Sequence, residues 1–439
     1  MRIIRTAFIV LIVQGTLLFG LAQSKPEEKL TWDQSKSVYN RRIKPAEPSQ
    51  NVNWDERVAK FLKEQPGDII VTGVGDMIYT EKISDFPEPD HQNLYRIMRE
   101  ADIAYGNLEM SLNDLQKLPQ EFYDFKMGRD FAWEIVNLGI NLVSLANNHN
   151  LDYGSEGLKD CLNILDHSRI NHAGGGLNYA QAHSAANVEV QNQKTKFALL
   201  SYYSPSQTPN PNEPCLATID APKIYVEKKD GQVETIEGPL ESDIKAMEDD
   251  IVMAKRHAEI VMVSFHAHDV SHARSYGYPD KVMPNQTLMY HKAVDAGADI
   301  ILGHGPHVLR GIEVYKGRPI IYSLSNFVYQ YRTPFKFPPD IVHQRDLQME
   351  RPTNVSVYDR RDSRQEMEAI LVRFTINQNK IRRFEIVPVT LDDEGPQYGS
   401  PRLASDIRGK KIIGVVQKLS EPYKTKITYK DWHAEVELQ

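Results

Sequence analysis

Five short stretches of this 439-residue chain place metal-ligand side chains directly behind apolar runs. Asp76 ends Thr72-Gly-Val-Gly-Asp76, and Glu109 ends Gly106-Asn-Leu-Glu109. Asn147, Asn148 and His149 follow Asn141-Leu-Val-Ser-Leu145; His266 and His268 follow Val263-Ser-Phe265; His304 and His307 stand in Gly303-His-Gly-Pro-His307. Carboxylate, amide and imidazole donors in one set suit Mn²⁺, Fe²⁺ or Zn²⁺ better than Mg²⁺ or Ca²⁺. Each element alone is bland. A Gly-Asp after a strand is usually a turn, Asn-Asn is ordinary turn chemistry, and a single histidine is more often a hydrogen-bonded surface or core residue. Together they would require residues scattered over the chain to meet on one edge, and that coincidence speaks against a plain α/β binding protein without metal.

The elements that would bring them together can be read from periodicity. Apolar runs at 68–74, 102–105, 141–145, 196–202, 258–265, 298–302 and 318–324 predict strands. Amphipathic stretches at 54–63, 91–101, 131–138, 155–168, 241–257 and 284–296 predict helices. Strands spaced by helices specify an α/β fold with buried sheets. In such a sheet the carboxyl ends of the strands share one edge, where ligands bind. Gly75, Gly106, Gly303 and Gly305 would let the backbone turn tightly at an ion. The stretches 369–376 and 381–387, joined by the Asn-rich turn 377–380, predict a hairpin that extends or caps a sheet. Residues 335–366, rich in Pro, Arg and Asp, predict a loop, lid or insertion.

Composition bounds the rest. The chain is 41% hydrophobic and 25% charged, as globular proteins are. A net charge of -7 and a pI near 6.1 argue against a nucleic-acid partner. Arg2 and Arg5 precede apolar runs at 7–13 and 16–22, with the small residues Ala22 and Ser24 behind them. This predicts a secretory signal cut after Ser24 and an exported protein, periplasmic, cell-surface or extracellular. A retained membrane anchor is the alternative, opposed by the shortness of the apolar stretch and by Gln14 within it. Cys161 and Cys215 are too few for a disulfide framework. The expected partition is a signal peptide at 1–24, a linker and helix at 25–66 and a main domain at 67–330. An insertion or lid at 331–367 and C-terminal strands with an extension at 368–439 complete it.

Several of these residues fall in motifs. Gly75-Asp76, Asn107-Leu-Glu109, Ser144-Leu-Ala-Asn-Asn-His149 with Asp152-Tyr-Gly154, Gly303-His-Gly-Pro-His-Val308 and Tyr315-Lys-Gly-Arg-Pro-Ile-Ile-Tyr-Ser-Leu-Ser-Asn-Phe327 are long and ordered. The set resembles the CapA family of poly-gamma-glutamate capsule biosynthesis proteins, similar in fold to calcineurin-like metallophosphoesterases. The resemblance covers residues 68–327 and, more loosely, the tail through Pro401-Arg-Leu-Ala404.

The resemblance implies a four-layer α/β/β/α metallophosphoesterase-like sandwich with C-terminal strand additions and a site for two divalent ions, Mn, Fe or Zn. By position, Asp76 and Glu109 would be carboxylate ligands, Asn148 an amide ligand, and His266, His304 and His307 imidazole ligands. His149 would act on the leaving group. Lys126, Asn147, His268 and Arg310 are candidate substrate contacts. The chain departs from the phosphoesterase pattern in three places. Asp76-Met-Ile78 lacks the histidine of Asp-x-His, the last motif reads Gly-His-x-Pro-His, and His266-Ala-His268 stands where many relatives have His-Trp-Gly. The resemblance implies a metal-dependent hydrolase of phosphoester or gamma-glutamyl amide bonds. Its partner would be an anionic polymer or small anionic substrate, beside membrane-bound capsule synthesis machinery. The rival reading is a non-catalytic accessory protein that binds or guides an anionic cell-envelope polymer.

Overall fold

All ten residues of strand β1 (Ile69–Ile78) are buried. A strand covered on both faces needs no polar alternation, so Asp76 stands out in its otherwise apolar sequence. The structure is a computed structural model that describes residues 52–116, 125–190, 195–204, 212–219, 223–227, 233–237, 239–267, 281–330, 365–393 and 397–438. The expected signal segment, residues 25–51 of the expected linker, the 331–364 part of the expected insertion or lid, and His268 lie outside the described residues.

From β1 the chain builds one half of a sheet by parallel crossovers. Strands β2 (Ile103–Leu108), β3 (Leu142–Ser144) and β4 (Asn171–Ala173) follow, each parallel to the strand before it. Helices α1 (Trp54–Phe61), α2 (Pro89–Arg99), α3 (Ala132–Asn137) and α4 (Gly154–His167) accompany this half. The chain then lays down a second sheet. Its strands are β5 (Ala186–Val190), β6 (Thr195–Ser204), β7 (Ile260–Ala267), β8 (Ile300–His304), β9 (Ile312–Tyr315) and β10 (Arg318–Ile321). Their spatial order is β9-β10-β8-β7-β6-β5. Helices α5 (Glu241–Lys255) and α6 (Pro284–Ala296) flank β7 in sequence.

The chain then returns to the first sheet. Strand β11 (Asn326–Tyr329) pairs with the far end of β1, and the hairpin β12 (Glu368–Asn377) and β13 (Lys380–Leu391) pairs with its near end. Gln378 and Asn379 both have positive φ, the requirement of the two-residue turn whose twist matches a hairpin. Strands β14 (Pro401–Leu403), β15 (Ile427–Tyr429) and β16 (Ala434–Val436) complete a ten-stranded sheet, and helix α7 (Asp406–Ser420) lies between them in sequence.

Three apolar clusters fix the layers. Leu94, Ile97, Ile135, Leu158 and Leu165 of the first helices pack on Ala104 and Val143 of the first sheet. Val71, Ile103, Tyr105 and Leu142, on the sheet's opposite face, meet Leu199, Met262, Ile300 and Leu302 of the second sheet. Ala198, Val261, Val263 and Ile301 point the other way, onto Ile244, Met247 and Ile251 of α5 and Met289 and Ala293 of α6. Neighbouring residues such as Ala104 and Tyr105 serve opposite clusters, the period-two rule of a strand. The result is a four-layer α/β/β/α sandwich extended by C-terminal strands. Among the described residues no helix is long and apolar enough to cross a membrane.

Candidate metal centre

Strand register assembles the first half of the site. Asp76 pairs with Asn107 across β1 and β2, and Asn107 pairs with Ser144 across β2 and β3. In the second sheet His266 pairs with His304 across β7 and β8. All five stand at or near the carboxyl ends of their strands. Strand β1 shifts register before Asp76, which lets it leave β12 and pair with β11 at Asn326. Gly75 permits that exchange, since a Cβ there would lie 1.8 Å from the Ser325 carbonyl oxygen. The loops that close the site carry positive φ at Gly305, where glycine takes it without cost, and at His307 and Ser325, where it is backbone strain of the kind functional sites retain.

Asp76 lies at the centre. Its Oδ1 accepts from Asn107 Nδ2 at 2.8 Å and lies 3.4 Å from His304 Nδ1 and 3.8 Å from His266 Nδ1. Its Oδ2 accepts from the Gly305 amide at 3.1 Å and lies 3.3 Å from His307 Nδ1. Glu109 Oε1 is 3.6 Å from His266 Nε2, 3.7 Å from His307 Nε2 and 4.0 Å from His149 Nε2. Asp76, Glu109, His266 and His304 are wholly buried.

Two overlapping donor triads result. Ligand atoms of Asp76, His266 and His304 lie within 4.8 Å of one another, and so do those of Asp76, Glu109 and His307. The test of fit is Glu109, because neither of its buried oxygens has a hydrogen-bond partner. A buried carboxylate without partners costs several kcal/mol, roughly, unless a cation or proton neutralises it. His266 and His304 also face each other through Nδ1 atoms only 2.9 Å apart, a spacing that suits a shared cation. Glu385, His433 and Glu435 make a third trio, but Arg373 already pairs with Glu385 and Lys430 with Glu435.

The site's electrostatics mark the same place. Burial pushes Glu109 well above the ordinary carboxylate range, and the Asp76 charge adds to it. Burial also raises Asp76, but His307, His304 and Asn107 outweigh it and hold that carboxyl below its usual value. Burial lowers His304 to about 4. Burial works against the charge on His307 too, yet Glu109 and Asp76 beside it bring the ring up to about 10. Without a cation the centre therefore holds its positive charge on His307.

The other expected residues fall in distinct places. His149 is buried beside the triads, with Nδ1 at 2.9 Å from Asp152 Oδ2 and its ring edge on Phe125. Asn148 is the exposed member of the asparagine pair. Asn147 is wholly buried, and its amide is committed inside the protein. Its Oδ1 accepts from the His149 and Asn150 amides, while its Nδ2 donates to Asn107 Oδ1 and the Leu108 carbonyl. It thus shapes the corner rather than facing a substrate. Arg310, expected to meet an anion, is buried and donates to Gln286 Oε1 at 2.7 Å. Lys126 is half-buried, donates to the Leu115 carbonyl and lies over the Tyr153 ring.

The family model for bacterial capsule synthesis protein PGA_cap matches residues 65–331. The chain belongs to this family. The chain is 26% identical to the PGA biosynthesis protein CapA of Bacillus subtilis, over 79% of this chain and 77% of that relative. It is also 26% identical to the capsule biosynthesis protein CapA of Bacillus anthracis, over 63% and 64%. A Staphylococcus aureus structure assigned as a 5'-nucleotidase aligns with a TM-score of 0.38 and 12% identity, covering 80% of this chain and 58% of that one.

Within the PGA_cap match, several residues that build the site carry no ligand motif of their own. Asn107 spans Asp76 and His266 from inside a motif whose glutamate drew the attention. Asn326 Oδ1 accepts from His307 Nδ1 at 2.8 Å. Asp152 could have been found, since three residues behind His149 is a spacing at which a turn returns a carboxylate to the ring.

Proposed function

We propose that this capsule-synthesis family member is an exported, metal-dependent hydrolase acting on a phosphoester or gamma-glutamyl amide of an anionic envelope polymer or a small anionic substrate. The observation that carries the reading is Glu109, a fully buried carboxylate without a hydrogen-bond partner, within 4.0 Å of three imidazoles. Asp76, His266 and His304 would hold one divalent ion and Asp76, Glu109 and His307 a second; the expected amide ligand, Asn148, is exposed at the neighbouring corner. When bound, such ions supply Lewis acidity and neutralise charge developing on the substrate's oxygens.

The chain's own residues do the rest. Asp152 accepts from His149 Nδ1, which fixes the ring and leaves Nε2 turned toward Glu109 and the site. A proton at that Nε2 is placed for a leaving group, and the Asp152 carboxylate stabilises the charged ring. Phe125 packs against the same ring, their centroids 4.8 Å apart. Export is supported by the charged, then apolar, then small-residue order at the N-terminus.

A non-catalytic accessory role is the second reading, favoured by Ile78, which stands where the phosphoesterase pattern has a ligand histidine. Metal analysis of the purified protein, with hydrolysis of a generic phosphodiester and of a gamma-glutamyl amide before and after chelation, separates the two. The enzyme reading expects bound metal, turnover lost on chelation, and a fall of about 10²–10⁴ in His149→Ala with metal retained. Polymer binding indifferent to chelation, with no turnover, overturns it.

A further inference from the structure

Behind the ligands lies a buried chain of hydrogen bonds whose direction can be worked out from fixed points. The Asn147 side chain is pinned by backbone: Oδ1 accepts from the amides of His149 and Asn150, and Nδ2 donates to the Leu108 carbonyl. That Nδ2 also donates to Asn107 Oδ1 at 3.1 Å. Asn107 Oδ1 must therefore accept, and its Nδ2 faces the acceptor-only carboxylate of Asp76 at 2.8 Å. Ser144 Oγ lies 2.7 Å from Asn107 Oδ1 and so donates its proton there. Tyr105 Oη lies 2.8 Å from Ser144 Oγ, whose own proton is spent, so Tyr105 donates to Ser144.

The consequence falls on His304. Tyr105 Oη, Ser264 Oγ and His304 Nε2 form a triangle with sides of 2.7, 2.9 and 3.0 Å. The Tyr105 proton points out of that triangle, to Ser144. If Nε2 were bare, one proton, from Ser264, would have to serve three close contacts. With the proton on Nε2, His304 donates into the triangle and Ser264 donates to Tyr105. A neutral ring has one proton, so its Nδ1 then presents a lone pair toward Asp76 Oδ1 and His266 Nδ1.

We propose that Tyr105 is a positioning residue, which together with Ser264 and the Asn147-Asn107-Ser144 chain locks His304 in the Nε2–H form and so makes Nδ1 its ligand atom. This rests on the metal-centre reading for the value of the locked ring, but the lock itself is a property of the metal-free protein. Outer hydrogen bonds of this kind typically change metal affinity by about 10–100-fold.

The test is long-range ¹⁵N–¹H correlation of the imidazoles in labelled, metal-free full-length protein, with His304 assigned by its loss in His304→Gln, and Mn²⁺ affinity measured alongside. The wild type is expected to show the proton on Nε2. Ser144→Ala removes the acceptor of the Tyr105 hydroxyl, which then turns to donate to Nε2. In Tyr105→Phe the Ser264 hydroxyl does so instead. Both variants should move the proton toward Nδ1 and weaken Mn²⁺ binding about tenfold. A wild-type ring protonated at Nδ1 overturns the proposal. So does an unchanged tautomer with unchanged affinity in the folded variants, even if thermal stability falls. Ser144→Ala carries the test alone should Tyr105→Phe not fold. A wild type that binds no Mn²⁺ yet shows the Nε2 proton would overturn the metal reading and leave the lock standing.

Discussion

Glu109 and His307 carry the electrostatics of the candidate metal centre. Burial and Asp76 raise the glutamate's pKa, and the two carboxylates raise the histidine to about 10, so His307 is protonated at neutral pH and Glu109 holds a proton more tightly than an ordinary carboxyl. An arriving cation needs both as bare ligands and must expel those protons. His304, lowered to about 4, is already neutral and adds nothing above pH 5. The sign follows: affinity rises with pH through the neutral range, by about tenfold per pH unit for each proton displaced. Calorimetric Mn²⁺ titrations at pH 6 and pH 8, each in buffers of different ionisation enthalpy, should show proton release and tighter binding at pH 8. Affinity independent of pH, with no proton release, would mean that neither group carries a proton the cation must displace. The same scale shows where sequence reasoning stops. Asp76, Glu109, His266, His304 and His307 were legible only as a set, because each is bland alone and ligand types behind several successive apolar runs are a coincidence hard to dismiss. Tyr105, Ser264 and Ser144 were not, because a hydroxyl inside a strand looks like any other until register shows what it faces.

At the scale of elements, the decisive feature is the exchange of partners along β1. Its first residues pair with β12, and its end pairs with β11, where the Asp76 amide donates to the Ser325 carbonyl at 3.0 Å. Gly75 is required there for space rather than for backbone freedom. A methyl group would strike that carbonyl and force the two strand ends apart. Gly75→Ala should destabilise the protein by about 1–3 kcal/mol, read as a lower urea midpoint, and weaken metal binding by displacing Asp76. A variant of wild-type stability and affinity would show that the exchange tolerates a side chain. Periodicity located β1 and the Asn-rich turn located the hairpin, but β11 lies beyond the last apolar run read as a strand, 318–324. Periodicity could not reveal that β1 serves two partners, because a register shift leaves the apolar pattern of a fully buried strand unchanged. The asparagine pair behind β3 resolves along similar lines. Asn147 turns inward to fix the corner's hydrogen bonds, while Asn148 stays at the surface.

Across the whole molecule, the site lies where two sheets face each other, and each contributes candidate ligands the other lacks. Asp76 and Glu109 come from the ten-stranded sheet, and His266, His304 and the loop carrying His307 come from the six-stranded one. A bound cation would therefore cross-link the layers at their carboxyl-terminal rim, in addition to the apolar contacts of Val71, Leu199 and Met262 between them. The added stability follows mass action, about 2.7 kcal/mol when the ion is a hundred times above its dissociation constant. It should be local in structure as well as global in free energy, because local opening of the rim breaks cation contacts while opening of the distant hairpin does not. Hydrogen exchange of the protein with Mn²⁺ and with chelator should thus differ most at 74–78, 106–110, 264–267 and 303–307. The tip of the β12–β13 hairpin, at 374–384, should exchange equally in both. Uniform change across both regions would mean that the ion acts on global unfolding alone, and no change at the rim would mean that the two sheets are not joined through it.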